Sequence, residues 1–112
     1  MKHEITLILC LVLFGNCSGD CQDDVAHYRL QQCSIIVEDM SIRDRWFSLE
    51  GKNVYTGKPD KYSDVGGWAN IFKNKIEVGD TVIKQKNEML FSVHKKDTTL
   101  AFPFDCQGKI YQ

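Results

Sequence analysis

The chain has 112 residues, 43% of them hydrophobic and 26% charged, with a formal net charge of −1. That length supports one small domain and one core, not two. The near balance of 14 basic and 15 acidic residues excludes the concentrated basic face that nucleic-acid binding demands, and it gives no electrostatic reason to adhere to an anionic membrane.

The chain opens with Lys2 and His3, followed by an apolar run, Ile5-Thr6-Leu7-Ile8-Leu9-Cys10-Leu11-Val12-Leu13-Phe14. At about 1.5 Å per residue such a run crosses roughly half of a bilayer's hydrocarbon core. It is too short to span and has the length of a secretory leader. Cys17-Ser18-Gly19 offers small residues to a conventional signal peptidase, which would release Asp20. Phe14-Gly15-Asn16-Cys17 resembles a lipoprotein signal, in which the chain is cut just before a cysteine whose thiol then carries a diacylglyceryl group. The leader is therefore expected at 1–16, with Cys17 lipidated, or at 1–19 if the cut is conventional. Residues 17–26 read as a polar, acidic tether. They resemble the acidic stretch behind the lipid-bearing cysteine of surface-exported lipoproteins in Bacteroidetes-type bacteria. This implies a cell-envelope location, at the outer membrane or cell surface, with attachment through the lipid. A periplasmic or secreted protein is the alternative. Loss of Lys2 and Glu4 with the leader leaves 13 basic and 14 acidic residues.

Residues 27–112 read as a mainly β domain. His27 to Val37 is predicted as a strand. Tyr28, Leu30 and Ile36 fall on one parity and Cys33, Ile35 and Val37 on the other, with a β-branched end. Arg45 to Glu50 is a second strand, stopped at Gly51. Residues 54–67 are dense in Gly, Pro, Asp and Ser and predict a long exposed loop with at most a short strand inside. Trp68 to Phe72 is expected as a short helical turn that packs Trp68 inward. Ile76-Glu77-Val78, a Gly79-Asp80 turn and Thr81 to Lys84 follow. Met89, Phe91 and Val93 share one face of the next strand, and Leu90, Ser92 and His94 the other. Leu100, Phe102 and Phe104 face inward on another strand, in which Pro103 favours an edge or a bulge. Lys109 to Tyr111 closes the series. Six to seven short strands in this length predict a small antiparallel barrel or sandwich.

Cys21, Cys33 and Cys106 remain after either cut, an odd number. An oxidising compartment permits a disulfide. Cys33 with Cys106 is the favoured pair, since both sit at strand edges and the bond would tie the start of the domain to its end. Cys21 with Cys33 is the rival.

Ile76-Glu77-Val78-Gly79-Asp80-Thr81-Val82-Ile83-Lys84, His94-Lys95-Lys96-Asp97-Thr98 and Cys106-Gln107-Gly108-Lys109-Ile110-Tyr111 together resemble small lipoproteins of Flavobacterium-like Bacteroidetes. The resemblance implies an envelope location and carries no activity. Gly79 to Lys84 is also similar to turns in lipoyl-carrier and peptidase-M23-type β domains. The histidines and aspartate that hold zinc in those peptidases have no counterparts here.

Chemistry-bearing constellations are sparse. His27 and His94 fall short of the roughly three ligands of a catalytic zinc. Ser92, His94 and Asp97 form the best nucleophilic trio, but residues two apart on a strand stand about 6–7 Å apart, and no glycine elbow surrounds Ser92. Asp60 and Asp64 flank Tyr62 and could in principle bind calcium or act as an acid/base pair. Tyr55, Tyr62 and Trp68 around the glycine-rich loop are candidate partner-binding aromatics, with Trp46 and Trp68 as competing candidates for the core. No cofactor or metal is implied. The sequence favours a non-enzymatic module that binds a protein, of immunity or inhibitor type. An enzyme or enzyme subunit acting on cell-wall or carbohydrate material is the alternative, and an accessory with no ligand of its own is a third.

Overall fold

The structure, a computed structural model, describes residues 21–65 and 67–112. The expected leader and the Cys17 lipidation site lie outside these residues. Residues 21–30 are an α-helix, α1. Seven strands follow: β1 Cys33–Arg43, β2 Trp46–Asn53, β3 Pro59–Asp64, β4 Thr81–Lys84, β5 Leu90–His94, β6 Thr99–Cys106 and β7 Lys109–Tyr111. Two single 3-10 turns, Ala69–Ile71 and Lys73–Lys75, lie between β3 and β4. All strands are antiparallel, in one sheet ordered β3-β2-β1-β4-β5-β6-β7. The fold is mainly β, as expected, and the sheet stays open instead of closing into a barrel.

The sheet is strongly curled. β3 and β5 are four places apart, about 19 Å in a flat sheet, yet the rings of Tyr62 on β3 and Phe91 on β5 lie 5.6 Å apart. Tyr28 on α1 touches both halves: its hydroxyl donates to Asp64 on β3 at 2.8 Å, and its ring lies 5.3 Å from Phe104 on β6. α1 thus sits in the gap between the two ends of the curl. Trp68 and Phe72 fill the interior, against Phe47, Phe91 and Phe104.

The curl has a local cause. β1 serves two partners, pairing β4 over Cys33–Ile36 and β2 over Ile35–Arg43, with a register shift between Val37 and Asp39. Such a bulge bends a strand and increases its twist. The turn before β4 locks onto it: Val37 N donates to Asp80 O, and Val37 O accepts from Gly79 N, both at 2.8 Å. Across the bulge, Gly51 leaves no room for a side chain. A Cβ there would stand 1.8 Å from the Ile36 carbonyl oxygen. Gly51→Ala is expected to cost about 1–3 kcal/mol, read as a lower urea midpoint, whereas Gly67→Ala, with open space around it, should change stability by less than about 0.5 kcal/mol.

Burial follows the expected parity where the strands are regular. Cys33, Ile35 and Val37 are buried, as are Met89, Phe91 and Val93, and Phe104. Several expectations need correction. Residues 21–30, read as tether and strand, are helical, because Cys21, Val25 and Tyr28 recur at i, i+4 and i+7 and give α1 a buried stripe. At its end Lys84 Nζ donates to Gln31 O at 2.8 Å and to Gln85 O at 3.0 Å, serving as a cationic cap. The disulfide is Cys21–Cys106, not Cys33–Cys106. α1 carries Cys21 over the end of β6, while Cys33 is a buried free thiol pointing toward Val82 O at 3.6 Å. Trp46 is 44% exposed, because β2 turns Phe47, not its neighbour, inward. Ile76–Val78 forms no strand, while the short strand allowed for inside the 54–67 loop is β3, Pro59–Asp64.

Candidate functional site

The three aromatics singled out in the sequence do not share a surface. Tyr62 and Trp68 are buried. Tyr62 contacts Phe91 and donates its hydroxyl to Gln31 Oε1 at 2.6 Å. Only Tyr55, at the tip of the β2–β3 hairpin, is open to solvent, 72% exposed. Ser92 and His94 share the outer face of β5, but the His94 ring faces Thr99 Oγ1 at 3.4 Å. Asp60 bonds to Asn53 Nδ2 and the Lys61 N–H, while Asp64 lies four residues on and accepts from Tyr28. They do not form a pair. Among the described residues no group of three His, Cys, Asp or Glu stands close enough to hold a metal ion, and no helix is long and apolar enough to cross a membrane.

The chemistry gathers elsewhere, in a cleft of about 410 Å³ between α1 and the end of β3. Helical spacing puts Asp24, His27, Tyr28 and Gln31 along its α1 wall, and Trp46, Ser63, Asp64 and Val65 form the opposite side. Its polar groups are held by a relay. Gln31 Oε1 accepts from Tyr62, which leaves Gln31 Nε2 facing His27 Nε2 at 2.9 Å. Asp64, 8% exposed, accepts the Tyr28 hydroxyl at the base. Burial first, and the adjoining Asp64 second, push the Tyr28 hydroxyl well above the usual tyrosine range, so it remains a donor at any physiological pH. Trp46 stands half exposed at the mouth.

The adjoining sheet edge is blunted. Asn53 N donates to Lys58 O at 2.8 Å. Counting by twos from that bonded pair puts the main-chain groups of Pro59, Lys61 and Ser63 on the free side of β3. Pro59 has no N–H, and Asp60 Oδ1 takes that of Lys61 at 2.8 Å. Strand addition is disfavoured there, so recognition at this end must work through side chains.

Three buried acids around α1 make the domain sensitive to alkali. Burial pushes the Cys33 thiol up to about 12 from 9.0, and burial followed by Asp64 raises Tyr62, as burial raises Tyr28. Each folded value lies above its unfolded one, so the native state keeps protons that the unfolded chain releases. Stability is intact below pH 9 and falls as pH rises, by about 1.4 kcal/mol per pH unit per group. The loss begins with Cys33 and steepens above pH 10 with the tyrosines. Lys84 opposes this in part: burial, then Arg29, lowers its ammonium, so its penalty on the fold shrinks as pH rises. Urea midpoints should fall between pH 8.5 and pH 11, and Cys33→Ala should remove the portion that starts at 9.

No protein-family model, curated protein or solved structure matches the chain.

Asp24 and Gln31 carry no functional signal of their own in the sequence, and His27 stands out there only as one ligand too few for zinc; their shared wall follows once α1 is recognised from the spacing of Cys21, Val25 and Tyr28. Trp46, a candidate for the core, is instead half exposed. The alternation of Trp46 with Phe47 and Leu49 was the available signal.

Proposed function

We propose that this chain is an exported, lipid-anchored envelope protein whose β domain is a non-enzymatic module that binds another protein through the α1–β3 cleft. The observation that carries this is Trp46. Half-exposed tryptophan beside a furnished cleft is the kind of residue that dominates protein interfaces. The Cys21–Cys106 disulfide fits an oxidising compartment outside the cytoplasm. A lipid on Cys17 would hold Cys21 within about 14 Å of it, four residue steps at full extension, so the cleft would work close to the membrane. An immunity or inhibitor role suits such a tethered domain. The alternative, an enzyme or enzyme subunit acting on carbohydrate or cell-wall material, draws on the same cleft, in which Trp46 could stack on a sugar between Asp24 and Asp64.

A photo-crosslinking residue at Trp46, in cells that make the protein, should give one discrete protein adduct. The same residue at Val78, exposed on the turn before β4, should not. Identical labelling of abundant envelope proteins from both positions would remove this function.

A further inference from the structure

We infer that the α1–β3 cleft receives an arginine side chain of the partner protein. This deepens the proposed function and rests on it. Asp64 is 8% exposed, yet among the described residues it has no cationic partner. Among the described residues its one hydrogen-bond donor is the Tyr28 hydroxyl, on Oδ2 at 2.8 Å. That leaves acceptor capacity on the carboxylate for a donor that enters the cleft it lines. By contrast, Asp80, similarly buried, has Lys95 Nζ at 2.6 Å. Asp64 opens instead onto a cleft that also holds Asp24 and no lysine or arginine. Arg43 and Arg45 neighbour Trp46 in register and sequence but do not line it.

The wall chemistry selects among cations. A guanidinium is planar: it stacks on an indole and presents paired N–H donors to a carboxylate. Trp46 supplies the exposed ring, Asp64 the buried acceptor and Asp24 a second carboxylate at the rim. A lysine ammonium would meet the charge without using the ring plane as well. The bound arginine would place its guanidinium between Trp46 and Asp64, with the Tyr28 hydroxyl keeping Asp64 oriented.

The test is NMR titration of the mature chain with N-acetyl-arginine methylamide, the corresponding lysine and glutamine derivatives, and N-acetylglucosamine. The arginine derivative should move the Trp46 indole N–H and the Ser63 and Val65 amides saturably, several-fold more tightly than lysine, while glutamine should not. Asp64→Asn, which keeps an acceptor for Tyr28, should weaken it about tenfold, and so should raising ionic strength from about 0.05 M to about 0.5 M. No saturable shift by arginine near about 0.1 M, unchanged affinity in Asp64→Asn, or equal response to lysine would overturn the inference. A Trp46 shift with the sugar alone would overturn it in favour of a carbohydrate site. If Asp64→Asn does not fold, Asp24→Lys at the exposed rim of the cleft serves in its place, and retained affinity there is equally fatal. Arginine failing while the Trp46 crosslink persists would sink the cation and leave the binding module standing.

Discussion

Reduction of the Cys21–Cys106 bond is expected to lower the unfolding free energy by about 4 kcal/mol. The bond closes a loop with a sequence separation of 85, for which the chain-entropy relation gives roughly 4.5 kcal/mol. It also fastens an element that cannot hold itself. Ten helical residues are too few to hold a helix in water on their own, and residues 21–30 otherwise depend on buried Val25 and Tyr28, the Gln31 contacts, the Arg29 hydrogen bonds to Asn87 and Gln112 and the Lys84 cap. Small domains have only about 5–15 kcal/mol in total, so the loss should be plain in urea unfolding with and without reductant. Cys21→Ala with Cys106→Ala should reproduce it. Because α1 forms one wall of the cleft, reduction should weaken binding as well. A difference below about 1 kcal/mol would mean that packing alone seats the helix.

Trp68→Ala is expected to cost a similar amount, about 3–5 kcal/mol. Trp68 packs between α1 and the β5–β6 part of the sheet, with ring centroids 4.8 Å from Phe91, 5.0 Å from Tyr28 and 5.1 Å from Phe104. Its removal leaves a cavity where sheet, helix and 3-10 turns converge. Its indole N–H is buried and has no partner among the described residues, and an unmet donor costs about 1–3 kcal/mol. Trp68→Phe, which drops that donor and keeps most of the ring contact, should therefore be far milder than Trp68→Ala. Trp46→Ala should shift stability by no more than about 0.5 kcal/mol and act on binding instead. A reversed ranking of the two tryptophans in urea midpoints would contradict both assignments.

That division of labour shows what the sequence could and could not reveal. Strand content and facing were legible in Met89-Phe91-Val93 and Cys33-Ile35-Val37, where one face is wholly buried and the period of two is clean. The disulfide was not legible, because the pairing of Cys21 depends on a helix whose polar stretch Gln22-Asp23-Asp24 reads as tether. Its buried stripe is only three residues long. Trp68 packs inward on a short helical turn, as its spacing with Ile71 and Phe72 suggested, whereas Tyr62 looked available because it flanks a glycine-rich stretch, and its burial was decided by a sheet that folds back on itself. Nothing local marks that curl except Gly51, and its role depends on the bulge across from it in β1. The cleft was illegible for the same reason. Asp24 and Asp64 are 40 positions apart, and only α1 lying in the gap of the sheet brings them together.

The most direct measurement is the intact mass of the protein taken from its native membrane, alkylated under denaturing conditions before and after reduction. An exported, lipid-anchored and cross-linked module should begin at Cys17 with a diacylglyceryl group, take one alkyl group at Cys33 without reductant and gain two more at Cys21 and Cys106 after it. A chain starting at Asp20 would keep export and refute the anchor. A chain starting at Met1 with every cysteine open to alkylation before reduction would contradict the account as a whole.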